Sequence, residues 1–134
     1  MSRLDKELAR AAYGGDGAVV EALLSAGADV HMEEDLPLRA AASFGHNDAI
    51  YVLLRAGADI HARNDEALRV AVIYGHTATV RALLAAGASL QACDDDAMRK
   101  SLEKGHTDTV EYVEALRSST GPLPPSKPAP GPVP

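Results

Sequence analysis

The chain has 134 residues, 46% of them hydrophobic, but only 4% are aromatic and none is Trp. That length suits one compact domain, and an apolar palette of Ala, Leu and Val suits close helix packing better than a β-sandwich, which draws on β-branched and aromatic residues. A net charge of −6 argues against nucleic acid or anionic membrane as partner, and a single cysteine, Cys93, excludes an internal disulfide or a Cys-based zinc site.

The chain opens with MSRLDKELARAAYGG, which lacks the apolar stretch of a secretory leader. No run approaches the roughly 18 apolar residues of a membrane span, so a soluble, cytoplasmic setting is expected. From Leu4 onward the sequence repeats without gaps. Gly-Ala-Asp stands at Gly27 and Gly57, Gly-Ala-Ser at Gly87, and Gly-His at Gly45, Gly75 and Gly105, each spaced by 30 residues. The units run 4–33, 34–63, 64–93 and 94–118, and make up a domain over 1–118. Recurrence in register at this period is the mark of a solenoid.

Each unit reads as two short helices. In the third, Ala67, Leu68, Ala71 and Val72 share one helical face, and Gly75 ends that helix. Val80, Leu83 and Leu84 mark a second helix, with Thr77 as its expected N-cap, as Asn47 and Thr107 are in neighbouring units. Gly87 ends it, and a short extended arm leads onward. Helices this short must stack on neighbours to be stable. The fourth unit has Glu114 where the others have Leu24, Leu54 and Leu84, and Ser101 where the third has Ala71. With Lys100, Glu103 and Lys104 nearby, it is expected to cap the stack with a wet face.

From Gly121 the chain reads GPLPPSKPAPGPVP and holds seven of the eight prolines. Residues 119–134 are expected to be a disordered, partly polyproline II tail. Pro122-Leu123-Pro124-Pro125-Ser126-Lys127 fits the PxxPx[KR] pattern of an SH3-like ligand, with a linker as the plainer reading.

The solenoid turns each position into a column. Arg39, Arg69 and Arg99 each follow an Asp by four residues: Asp35, Asp65 and Asp95. On a helix such pairs support one another, so a structural ladder is expected. His46, His76 and His106 form a second column, and His31 and His61 a third, continued by Gln91. Neither has metal-ligand spacing, and units about 10 Å apart cannot share a metal through equivalent His residues. The positions just before Gly-His hold Tyr13, Ser43-Phe44, Ile73-Tyr74 and Glu103-Lys104, including the only Phe and two of the four Tyr. If exposed, they form an apolar patch flanked by charge, which marks an interaction site. Tyr51 and Tyr112 read as surface aromatics on second helices. Cys93, beside Asp94-Asp95-Asp96, is disfavoured as a nucleophile by like charge. No catalytic or phosphate-binding motif is present.

The elements Gly45-His46 and Gly75-His76, Leu53-Leu54 and Leu83-Leu84, and Gly57-Ala58-Asp59 resemble the ankyrin repeat over about residues 4–117. The resemblance implies an all-α, ankyrin-type helical solenoid of four stacked helix pairs, with hairpins projecting from one side and a protein-binding role. It also implies that the His after Gly bonds backbone between units, and that the first-helix face is concave. The usual unit has about 33 residues, three more than here. The missing residues fall in the arm, so shortened hairpin arms with little or no β-structure are expected. The familiar TPLH tetrapeptide is replaced by Leu36-Pro37-Leu38-Arg39, Glu66-Ala67-Leu68-Arg69 and Asp96-Ala97-Met98-Arg99.

The resulting expectation is a non-catalytic interaction module without cofactor or metal. It binds a protein partner along the concave first-helix face, through Tyr13, Ser43, Phe44, Ile73, Tyr74, Glu103 and Lys104. The acidic turns Glu33-Glu34-Asp35 and Asp94-Asp95-Asp96 favour a basic partner. The alternative is an acidic inhibitor or immunity-type protein that blocks the basic active site of an enzyme.

Overall fold

The structure, a computed structural model, describes residues 2–118. Its helices follow in four pairs: α1 (Arg3–Gly14) and α2 (Gly17–Ser25), α3 (Met32–Ser43) and α4 (Asn47–Arg55), α5 (Ala62–Ile73) and α6 (Thr77–Ala85), α7 (Asp95–Glu103) and α8 (Thr107–Ser118). A 3₁₀ turn, Leu90–Ala92, precedes α7, and the described residues contain no strand. First helices pack on first helices (α1 on α3, α3 on α5, α5 on α7), and α2, α4, α6 and α8 line up behind them. This is the all-helical solenoid expected from the period. The Pro-rich tail and its SH3-type motif lie outside the described residues.

The core is written in columns. Leu8, Leu38, Leu68 and Met98 occupy one place in the four first helices, and Val20, Ile50, Val80 and Val110 one place in the second helices. Leu53, Leu83 and Val113 lie one turn further on. All are buried, because spacings of three and four residues bring them to one helical face. Second helices of nine residues would not persist alone, so this packing holds them.

Between the paired helices the chain turns at a left-handed glycine, with φ of 71° at Gly45 and 73° at Gly75. A Cβ at Gly45 would also come within 2.7 Å of the His76 ring. The turn therefore needs Gly for its backbone and for the neighbouring unit.

The helix starts differ from expectation. His46 and His76 occupy the cap positions without side-chain cap bonds, and Asn47, Thr77 and Thr107 are the first helical residues. Their side chains are used sideways instead. Asn47 Oδ1 accepts from the Thr79 hydroxyl at 2.6 Å, and Thr77 and Thr109 share a hydroxyl bond of 2.6 Å. Thr79 and Thr109 are buried, so these bonds tie α4 to α6 and α6 to α8 through groups that would otherwise lose water for nothing. Carboxylates cap elsewhere: Asp16 accepts from the Val19 amide at 3.2 Å, and Asp94 from the Ala97 amide at 2.9 Å.

The arms before the right-handed parts of α3 and α5 take in the first residues of each span, which are not right-handed, and contain no hairpin. Glu33, Glu34 and Asp35 have φ of 50°, 56° and 58°, and Arg63, Asn64 and Asp65 have φ of 56°, 60° and 56°. Each arm is a single left-handed turn that runs directly into a right-handed helix. Three L-residues there cost roughly 1–2 kcal/mol apiece, so the turn must be held by other bonds. Pro37 follows inside the first right-handed turn, where its missing N–H breaks no helical bond.

The last unit departs from the expected wet cap in one respect. Glu114 is exposed, but Ser101 is fully buried and its Oγ has no partner among the described residues. Leu102 is the uncovered residue instead, 52% exposed.

Candidate protein-binding face

The residues just before each Gly-His lie at the C-terminal ends of the first helices. Tyr13 is 46% exposed, Phe44 55% and Tyr74 46%. Tyr13 and Phe44 meet edge to face, with centroids 5.8 Å apart and planes at 70°. Phe44 in turn stacks on His46 at 6.1 Å. The Lys104 ammonium sits 5.4 Å from the centre of the Tyr74 ring, within cation–π range. The rings thus brace one another or a cation while leaving about half of each surface open.

The other expected members of this face are placed less favourably. Ile73 is half-buried and packs against the core. The Ser43 hydroxyl donates to the Ala40 carbonyl at 3.0 Å and is turned back onto its own helix. Glu103 is exposed and 3.9 Å from Arg99.

Beneath the face, the His column joins units. His46 Nε2 donates to the Tyr13 carbonyl at 3.0 Å, and His76 Nε2 to the Ser43 carbonyl at 3.0 Å. The His106 ring packs over Gly75, where an added Cβ would lie 2.4 Å from it. His46 and His76 therefore fix the C-terminal ends of α1 and α3, where Tyr13 and Phe44 emerge.

The Asp and Arg columns do not pair with each other at i,i+4. Asp35 and Asp65 are buried, and each accepts the backbone N–H of the next arm: Asp59 N at 2.7 Å and Ser89 N at 2.7 Å. Asp5 does the same for Asp29 N at 2.8 Å, and that amide is the main reason its carboxyl titrates below the ordinary range. Asp95 is exposed and pairs with Arg117 at 3.1 Å. Arg39 and Arg69 donate to the carbonyls of the left-handed turns, and Arg39 also reaches Glu66 at 3.1 Å. Arg99 pairs with Asp96. The physical reason is the left-handed turn. Asp35 and Asp65 precede the right-handed helix, so four residues onward is not the same helical face.

Sequence reasoning missed the cross-arm ion pairs. Arg63 lies 3.2 Å from Glu34 and 2.9 Å from Glu66, so one guanidinium links two arms. It also missed the Asn47–Thr79 and Thr77–Thr109 bonds, whose only signal was a short polar residue recurring in adjacent units.

Cys93 is buried, and desolvation pushes its thiol up to about 11, with the Asp94 charge adding to the shift. Burial, more than the acidic neighbours, keeps it protonated. Among the described residues no group of three or more His, Cys, Asp or Glu side chains is placed to hold a metal. No described helix is long and apolar enough to cross a membrane.

The family model for ankyrin repeats, in three copies, matches residues 8–94, well over half of the chain. The chain belongs to the ankyrin repeat family. No curated protein sequence matches it. Ankyrin repeats are in general protein–protein interaction modules and typically non-catalytic. In this ankyrin chain two of the arms between units are left-handed turns and the third is a 3₁₀ turn.

Proposed function

We propose that this ankyrin domain binds a protein partner across the C-terminal ends of α1, α3, α5 and α7, with Tyr13, Phe44 and Tyr74 as anchors. The observation that supports this reading is the exposure of those three rings in a molecule with few aromatics. Large rings held rigidly at low entropy cost are what interface hot spots use. Ser43, Ile73, Glu103 and Lys104 complete the rim.

Net charge of −6 favours a basic partner. The steering charges are the exposed ones, such as Glu33 and Glu103. Asp35 and Asp94 are committed to backbone bonds within the fold.

Affinity capture from native lysate, with wild type beside Phe44→Ala/Tyr74→Ala, tests the face. A protein held by wild type and lost by the variant, with both folded by circular dichroism, supports it. Equal capture by both sinks it. With the partner in hand, Glu33→Lys/Glu103→Lys should lower the association rate and flatten its salt dependence.

A further inference from the structure

The arms before α3 and α5 share a constellation that the arm before α7 lacks. In the first, His31 Nδ1 lies 3.0 Å from Asp35 Oδ1, Asp35 Oδ2 accepts the Asp59 amide at 2.7 Å, and Arg39 donates to the Glu34 and Glu33 carbonyls at 3.0 and 2.7 Å. In the second, His61 Nδ1 lies 2.9 Å from Asp65 Oδ1, Asp65 Oδ2 accepts the Ser89 amide at 2.7 Å, and Arg69 donates to the Asn64 and Arg63 carbonyls at 3.3 and 3.1 Å. Both arms are left-handed.

In the third arm Gln91 stands in the His position and accepts from the Ser89 hydroxyl at 2.9 Å. That arm is a 3₁₀ turn, Asp95 is exposed, and Arg99 has no left-handed carbonyls to hold. The left-handed arm therefore coincides with His-x₃-Asp-x₃-Arg, and its loss coincides with Gln91.

The spacing has a mechanical logic. The His side chain at the head of the turn holds the Asp at its foot, itself the last of the three left-handed residues. The same Asp then holds the next unit through its second oxygen. Arg satisfies the carbonyls that a left-handed turn leaves without helical partners.

We propose that His31 and His61 are proton-responsive latches: the imidazolium bound to Asp35 or Asp65 locks the left-handed turn and, through that carboxylate, the amide bond to the next unit. Loss of the proton loosens both left-handed turns and the amide bonds they hold at Asp59 and Ser89, while Gln91 itself contributes no such response.

The charged groups that face His31 are Asp35, Asp29 and Asp59, and those that face His61 are Asp65 and Asp59. All are carboxylates, and they raise both His residues above the ordinary 6.5, with the hydrogen bond to Asp35 or Asp65 as the leading cause. A His raised in the folded state adds stability that is fully present below about 6.5 and is lost as pH rises through its folded value. The rings are 55% and 57% exposed at the side chain, so water screens the effect and it is a tuning device.

The test is amide hydrogen exchange of the full chain by NMR from pH 5.5 to 8, expressed as protection factors, with the imidazole titrations read alongside. Protection at Asp59 and Ser89 should fall by about two- to fivefold as His31 and His61 titrate, with midpoints above 6.5. The Asp29 amide, held by Asp5 with no His in the matching place, is the internal control and should stay flat. His31→Gln should abolish the response at Asp59 only, and His61→Gln at Ser89 only. Flat protection at both amides, or a response that survives both substitutions, overturns the proposal. Should a variant fail to fold, midpoints at or below 6.5 in the wild type overturn it as well.

Discussion

Gly45→Ala is the sharpest test of how the units are joined. Gly45 has φ of 71°, and an L-residue in that region costs roughly 1–2 kcal/mol, partly offset by about 0.4–1 kcal/mol from a stiffer unfolded chain. The new methyl would also lie 2.7 Å from His76 Nδ1, closer than a Cβ can approach, so the ring must move. Moving it loses the 3.0 Å bond from His76 Nε2 to the Ser43 carbonyl, about 1 kcal/mol. The total loss should be about 2 kcal/mol. Gly57→Ala is the control: φ is 98°, but nothing lies within 4 Å of its Cβ, so only the backbone cost remains. Urea unfolding followed by circular dichroism gives both values. A double-mutant cycle with His76→Ala isolates the ring, because Gly45→Ala should cost about 1 kcal/mol less once the ring is gone. Equal losses for Gly45→Ala and Gly57→Ala, or a His76→Ala background that leaves the Gly45→Ala cost unchanged, would refute the reasoning.

Ser101→Ala restores the residue of the third unit and removes a buried hydroxyl that has no partner among the described residues, so thermal or urea unfolding should register a gain of about 1 kcal/mol. Asp65→Ala strips the Ser89 amide and His61 of their shared acceptor and should cost about 2–3 kcal/mol, whereas Asp95→Ala, at an exposed carboxylate, should stay within about 0.5 kcal/mol. Cys93, with its thiol pushed up to about 11 against an ordinary 9.0, should react with a maleimide at pH 8 about a hundredfold more slowly in the folded chain than in urea, and equal rates would contradict its burial.

The helix pairs were legible because they depend on local spacing written four times. Leu38, Leu68 and Met98 need no knowledge of the rest of the chain to be placed on a buried face. The aromatic rings before Gly-His were legible for the same reason, since a residue at the end of a first helix has the same surroundings in each copy. That the arms are short turns running into a helix without β-structure was legible in the period; their left-handed backbone was not. Their three left-handed residues run against the preference of every L-amino acid, and their stabilising partner lies 24 residues onward, where Asp35 meets the Asp59 amide. The expected Asp–Arg ladder assumed one continuous right-handed helix; at Asp35 and Asp65 the left-handed turn removes that premise, and at Asp95 the carboxylate goes to Arg117 while Arg99 takes Asp96.

Polarity was also a poorer guide than position. Ser101 looked water-facing because it is a hydroxyl, yet it stands in the column of Ala41 and Ala71 and is buried with them. Leu102 is apolar and continues the column of Ala42 and Val72, which are buried where a further unit follows, yet it is 52% exposed. No described unit follows the fourth, so its apolar side chain is left open. In a solenoid, exposure belongs first to the column and its place in the stack, and only then to the residue type. Phe44 and Tyr74, each only edged by one side chain of a neighbouring unit, stay about half open in the middle of the stack, where Leu102 becomes open only at its end.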